Sequence, residues 1–190
     1  MKIALGGPPK SGKSVLRQRL KMAIQRLDPN VHPYVLTTNP DGEGAWFQET
    51  YRHDPEAAAR LKQSAKQAWS AEHADLYASW VRNAAAPLVL IDLGGKIDDK
   101  NLRICALATH AILIAPSDAA FPAWREFCSA CQLTLLAELL SDLTAPDDRI
   151  DSAGVPFRAV IHHLERGDID TPRPAVDALA RLILDLLPHA

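Results

Sequence analysis

Apolar positions along this chain keep changing their period. Residues 3–6, 34–38, 87–92, 110–115 and 157–163 are short, dense apolar runs, the pattern of strands covered on both faces. Between them the apolar residues recur at helical spacing. Leu16, Leu20, Ala23, Ile24 and Leu27 mark one face of a helix from about Lys13, whose other side carries Arg17, Arg19, Lys21 and Arg26 and reads as solvated. Asp54 and Pro55 read as N-cap and first position of a long helix towards Val81. Trp124, Phe127, Cys128, Cys131 and Leu135 predict a helix from about Pro122, and Val176, Leu179, Ile183 and Leu187 a last one after Pro174. The segment TAPDDRIDSAG is dense in turn formers and reads as a surface excursion.

Strands alternating with helices predict an α/β fold of three layers around a mainly parallel sheet of about five strands. One domain spanning residues 1–190 is expected. Composition changes this picture little: 47% apolar and 23% charged residues are ordinary for a globular chain. A net charge of −2 gives no polybasic signature for broad nucleic-acid binding. The apolar runs are too short to cross a bilayer and no secretory leader is read, so a cytoplasmic protein with no membrane contact is expected. Three cysteines do not suggest a disulfide framework, and Cys128 and Cys131 read as helix-face cysteines rather than a redox or metal pair.

The first turn brings the chemistry. In ALGGPPKSGKSVL, Gly7 is followed after four residues by Gly12, Lys13 and Ser14, the spacing of a phosphate-binding loop between strand and helix. Backbone N–H groups of such a loop face a phosphate, and the helix N-terminus adds favourable partial charge. Gly7, Pro8, Pro9, Lys10, Ser11, Gly12, Lys13 and Ser14 are the expected nucleotide contacts, with Lys13 on the β- and γ-phosphates and the Ser14 hydroxyl on Mg²⁺. The companion carboxylate is expected at the end of a buried strand. Asp92 in PLVLIDLGG fits, and Gly95 three residues on is placed to offer its N–H to a γ-phosphate.

A third element, TTNPDGEGAWFQE, follows the second strand. Asp41 and Glu43 are candidates to accept a proton or orient water, with Gly42 and Gly44 permitting close approach and Trp46 or Phe47 available to stack. The alternative there is a tight turn with solvated acids and core aromatics. Lys10, Lys96, Arg52, Arg125 and Arg166 are weaker candidates to offset charge, and Ser117 and Asp118 lie at the expected active edge; His162 and His163 read as strand-end histidines. No Asn-Lys-x-Asp guanine-recognition element follows the fourth or fifth strand, which favours adenine.

Together, GGPPKSGKS, PDGEGAWFQE and LVLIDLGGKI resemble a P-loop, ATPase-like (AAA-labelled) domain associated with, and often fused to, the ring nuclease of type III CRISPR systems that degrades cyclic tetra-adenylate. The resemblance covers nearly the whole chain. It implies ATP and Mg²⁺ as cofactors, with Gly7, Lys13, Ser14, Asp92 and Gly95 in the roles argued above. Lys13, Asp41, Glu43 and Asp92 are the catalytic candidates, and Ser14 and Asp92 the metal ligands. The resemblance also implies a regulatory task in cyclic-oligoadenylate signalling, with the ring nuclease and cyclic oligoadenylate as partners; a homo-oligomer is expected. The chain has room for little beyond one helix after the fifth expected strand, so a compact kinase-like domain fits better than a remodelling motor. Three fates of the nucleotide stay open at this point: hydrolysis, transfer to a small acceptor with Asp41 as base, or sensing without turnover.

Overall fold

The computed structural model describes residues 1–38, 56, 70–165 and 171–188. Seven strands among them join one sheet: β1 (Lys2–Gly6), β2 (Tyr34–Thr37), β3 (Val89–Asp92), β4 (His110–Ala115), β5 (Thr134–Asp142), β6 (Arg149–Ser152) and β7 (Phe157–His162). Their order is β2-β3-β1-β4-β5-β7-β6, parallel throughout except for β6 against β7. The described helices are α1 (Lys13–Leu27), α2 (Ala71–Asn83), α3 (Asp99–Cys105), α4 (Phe121–Ala130) and α5 (Pro174–Leu186).

The period of two along each strand divides its side chains between two cores. Ile3, Leu5, Leu90, Ile112, Ile114, Phe157 and Ile161 pack under α1 and α5, against Leu16, Leu20, Ile24, Val176, Leu179 and Ile183. Ala4, Val89, Ile91 and Leu113 face the other way, towards Val81 of α2, Ile104 of α3 and Trp124 and Phe127 of α4. Burial of each such Leu, Ile or Phe side chain stabilises the fold by roughly 1.5–3 kcal/mol. Helices therefore cover both faces, as α/β layering requires.

The expected five strands become seven. The helix read from Pro122 stops at Ala130, Gln132 turns the chain with a φ of 58°, and Thr134–Asp142 crosses the sheet as β5. Leu, Ala and Glu are strong helix formers, but here a two-sided position between β4 and β7 overrides propensity. β6 lies inside the expected excursion. It is an exposed antiparallel edge strand, so it has no apolar run to betray it. The Asp148 carboxylate beside it accepts the His162 N–H on Oδ1 and the Ala175 N–H on Oδ2, tying this segment to β7 and to the first turn of α5.

Two helix readings also change. α2 begins at its own N-cap, Ser70, whose hydroxyl accepts the His73 N–H, so the helix read from Asp54 does not run unbroken to Val81; residues 57–69 lie outside those described. Arg17 and Arg19 are not on a solvated face, being only 6% and 8% exposed. Arg19 reaches the Thr171 carbonyl, and Arg17 turns towards the ends of β2 and β3. α3 was not anticipated, although Asp98 supplies a side-chain cap to the Asn101 N–H. Among the described residues, no helix is long and apolar enough to cross a membrane.

β1 sits between β3 and β4. Its outgoing connection leads to α1 on one face, whereas α3 and α4, which follow its neighbours, lie on the other. Such a reversal opens a crevice beyond the carboxyl ends of the strands.

Candidate functional site

The chain leaves β1 through Gly6 and turns at Gly7, whose φ is 148°. A Cβ at Gly7 would stand 1.9 Å from the Ile114 carbonyl oxygen, so the loop lies directly on β4. Lys10 and Gly12 also take positive φ, 62° and 89°. Gly12 is the N-cap of α1 and no side chain caps that helix, nor does its first turn carry an acid. The first N–H groups of α1 and the positive end of its dipole are thus directed at the loop. Pro8 and Pro9 have no N–H, which leaves donation to an anion to the residues from Lys10 onward.

Lys13 is 8% exposed and its Nζ donates to the carbonyls of Gly7 and Pro8, 2.8 Å each. The ammonium therefore lies folded over the turn. Ser14, next on α1, is half-buried; Ser11 is buried beneath the loop and its Oγ has no hydrogen-bond partner. Lys10 is exposed.

Asp92 ends β3 and is 3% exposed. Register places it beside Leu5 of β1 and Thr37 of β2. Arg17 Nη1 donates to its Oδ2 at 3.3 Å and to Thr37 Oγ1 at 2.8 Å. Thr38 binds the Asp92 carbonyl oxygen with both its N–H and its hydroxyl, at 3.1 and 3.0 Å. Beyond Asp92, Gly95 approaches the loop so closely that a Cβ would lie 2.7 Å from the Pro9 nitrogen. Asn101 of α3 holds this turn: its Oδ1 accepts the Gly94 N–H at 3.1 Å and its Nδ2 donates to the Lys96 carbonyl at 2.7 Å.

The loop and the strand-end carboxylate, far apart in sequence, thus meet at one edge of the sheet. Arg17 and Asn101 were missed as parts of this edge. For Arg17 the only signal was its place one helical turn after Lys13, and for Asn101 its place three residues after a capping aspartate. Asp41, Glu43, Gly42, Gly44, Trp46, Phe47, Arg52 and Arg166 lie outside the described residues.

Other candidates are engaged elsewhere or stand apart. Arg125 and Arg158 bracket Glu138 of β5, whose side chain is almost fully buried; Arg125 Nη2 lies 2.9 Å from Oε2. The Arg125 hydrogen bond holds the Glu138 carboxyl below the ordinary glutamate range, against the opposing effect of burial. Ser117 and Asp118 are exposed at the carboxyl end of β4, and Lys96 is exposed after the Gly94–Gly95 turn. His162 and His163 pack ring to ring, 5.4 Å between centroids, and His163 Nδ1 donates to the Leu143 carbonyl at 2.9 Å. Cys105, Cys128 and Cys131 are buried free thiols of one core, and desolvation pushes all three up, Cys128 to about 12.

Among the described residues, no group of three His, Cys, Asp or Glu side chains is arranged to hold a metal ion. The Ser14 hydroxyl and Asp92 carboxylate are nevertheless the hard oxygen donors that magnesium takes, and such sites draw most remaining ligands from phosphates and water. The uncapped, acid-free first turn of α1 likewise fits an anion. Comparison with protein-family models finds no matching family, and comparison with curated proteins finds no match.

Proposed function

We propose that this chain is an ATP-binding, Mg²⁺-dependent P-loop NTPase that hydrolyses its nucleotide in a regulatory role. The observation that carries the reading is the junction of two motifs: the glycine turn opening α1 touches the turn that follows Asp92, through Pro9 and Gly95. The N–H groups from Lys10 to Ser14 would orient the phosphates, and Lys13 would exchange loop carbonyls for phosphate oxygens. Ser14 and Asp92 would hold magnesium. Bound magnesium offsets negative charge on the transferring phosphoryl oxygens. The type III CRISPR setting, with the ring nuclease and cyclic oligoadenylate as partners, is supported by the sequence motifs GGPPKSGKS, PDGEGAWFQE and LVLIDLGGKI.

The test is incubation with γ-labelled ATP and Mg²⁺, with and without nucleosides, nucleotides and cyclic oligoadenylates. Release of free phosphate is the expected result. Label on an acceptor would make the chain a kinase, and tight binding without turnover a sensor. Lys13→Ala is expected to abolish nucleotide binding; full affinity in that variant would remove the loop from the site.

A further inference from the structure

Arg17 stands on α1 one turn beyond Lys13, so both project from the same side of the helix. Its guanidinium is buried, yet its pairing is poor by its own standards. A guanidinium placed to satisfy itself takes a carboxylate with two parallel N–H bonds. This one divides Nη1 between Thr37 of β2 and Asp92 of β3, and its buried Nε has no hydrogen-bond partner. Thr38 adds two bonds to the Asp92 carbonyl. The start of α1 and the ends of β2 and β3 are therefore joined through one aspartate, its carboxylate on Arg17 and its main-chain carbonyl on Thr38.

We propose that Arg17 is the positioning residue for the metal end of the site. It fixes the Asp92 carboxylate relative to Ser14, so that magnesium strengthens nucleotide binding in full only while the guanidinium is present. The inference rests on the nucleotide-binding reading above. Lys13, Ser14 and Arg17 share one helix, and that helix refers the phosphate-binding turn and the strand-end acid to a common frame. Removing Arg17 leaves the loop N–H groups and Lys13 in place but takes from Asp92 a buried cation that bonds its Oδ2.

The experiment compares the affinity of a fluorescent ATP analogue with Mg²⁺ and with chelator, in the wild-type protein, Arg17→Met and Thr37→Val. Arg17→Met is expected to lose about tenfold of the tightening that magnesium gives, with magnesium-free affinity kept, the scale on which groups behind a metal ligand act. Thr37→Val, which spares the charge pair, is expected to lose a smaller part of the same tightening. A merely structural arginine would lower both affinities together; that result, or an unchanged tightening, overturns the proposal. Should Arg17→Met fail to fold, Thr37→Val decides: unchanged tightening there overturns it. Wild-type binding that magnesium leaves unaltered also overturns it, while the nucleotide reading stands. No nucleotide binding by the wild type at all overturns that reading itself.

Discussion

Gly95 and Pro9 meet backbone to backbone: a Cβ on Gly95 would lie 2.7 Å from the Pro9 nitrogen and 2.9 Å from its Cα. Backbone cannot swing aside as the end of a flexible side chain can, so any side chain at residue 95 must displace the loop. Gly95→Ala is expected to cut nucleotide affinity about tenfold, with an overpacking cost of roughly 1–3 kcal/mol. Calorimetric titration and thermal unfolding check this; wild-type affinity in the variant would uncouple the two turns.

Gly7 is under a stricter constraint. Its φ of 148° and the 1.9 Å that would separate a Cβ from the Ile114 oxygen leave no room for a side chain. Gly7→Ala is expected to destabilise the fold by about 2–3 kcal/mol in addition to abolishing nucleotide binding. Urea titration of the ligand-free protein measures the first effect separately from the second.

Glu138 predicts a pH dependence. Its folded carboxyl lies below the ordinary value of 4.5, chiefly through the Arg125 hydrogen bond. The unfolded chain then binds the proton more readily, so the stabilisation is complete above pH 4.5 and is lost as pH falls through the lowered value. Glu138→Gln is expected to cost about 1–2 kcal/mol at neutral pH, a modest figure because both guanidiniums are half in solvent. Denaturant titrations at descending pH should show wild type and variant converging. A constant gap would assign the difference to packing.

The buried thiols predict silence. Desolvation disfavours the thiolate at Cys105, Cys128 and Cys131, and the thiolate is the reactive form. A thiol reagent is expected to label none of them in the native protein at neutral pH and all of them in denaturant. Rapid native labelling of any one would show that the core beneath α3 and α4 opens readily.

Much of the layering was legible in the sequence because buried parallel strands are written as apolar runs: β1, β3, β4 and β7 fall where Ile3, Val89, Ile112 and Val160 lead one to place them. β5 was hidden because Leu135, Leu136, Ala137 and Glu138 favour a helix locally and become a strand only between two others. β6 was hidden because an exposed edge strand carries no apolar signature. At the candidate site, the turn through Gly7 and Gly12 and the strand end at Asp92 could be read from spacing, since backbone turns and strand ends have fixed chemistry. Arg17 could not: on a helical wheel it sits among surface cations, and only the order of β1, β2 and β3 draws it inward.

The central place of β1 has a consequence for the chain as it is synthesised. Residues 2–6 emerge well before their partners on the two sides, residues 89–92 and 110–113. Pairings so distant in sequence form slowly, and unpaired edges invite wrong ones. Until residues 89–114 have left the ribosome, the strand that launches the glycine turn has bare hydrogen-bonding edges and no Ile114 carbonyl for Gly7 to rest upon. The glycine turn is thus made long before it can acquire its shape, and a nascent chain stalled before β4 would carry that turn without a floor.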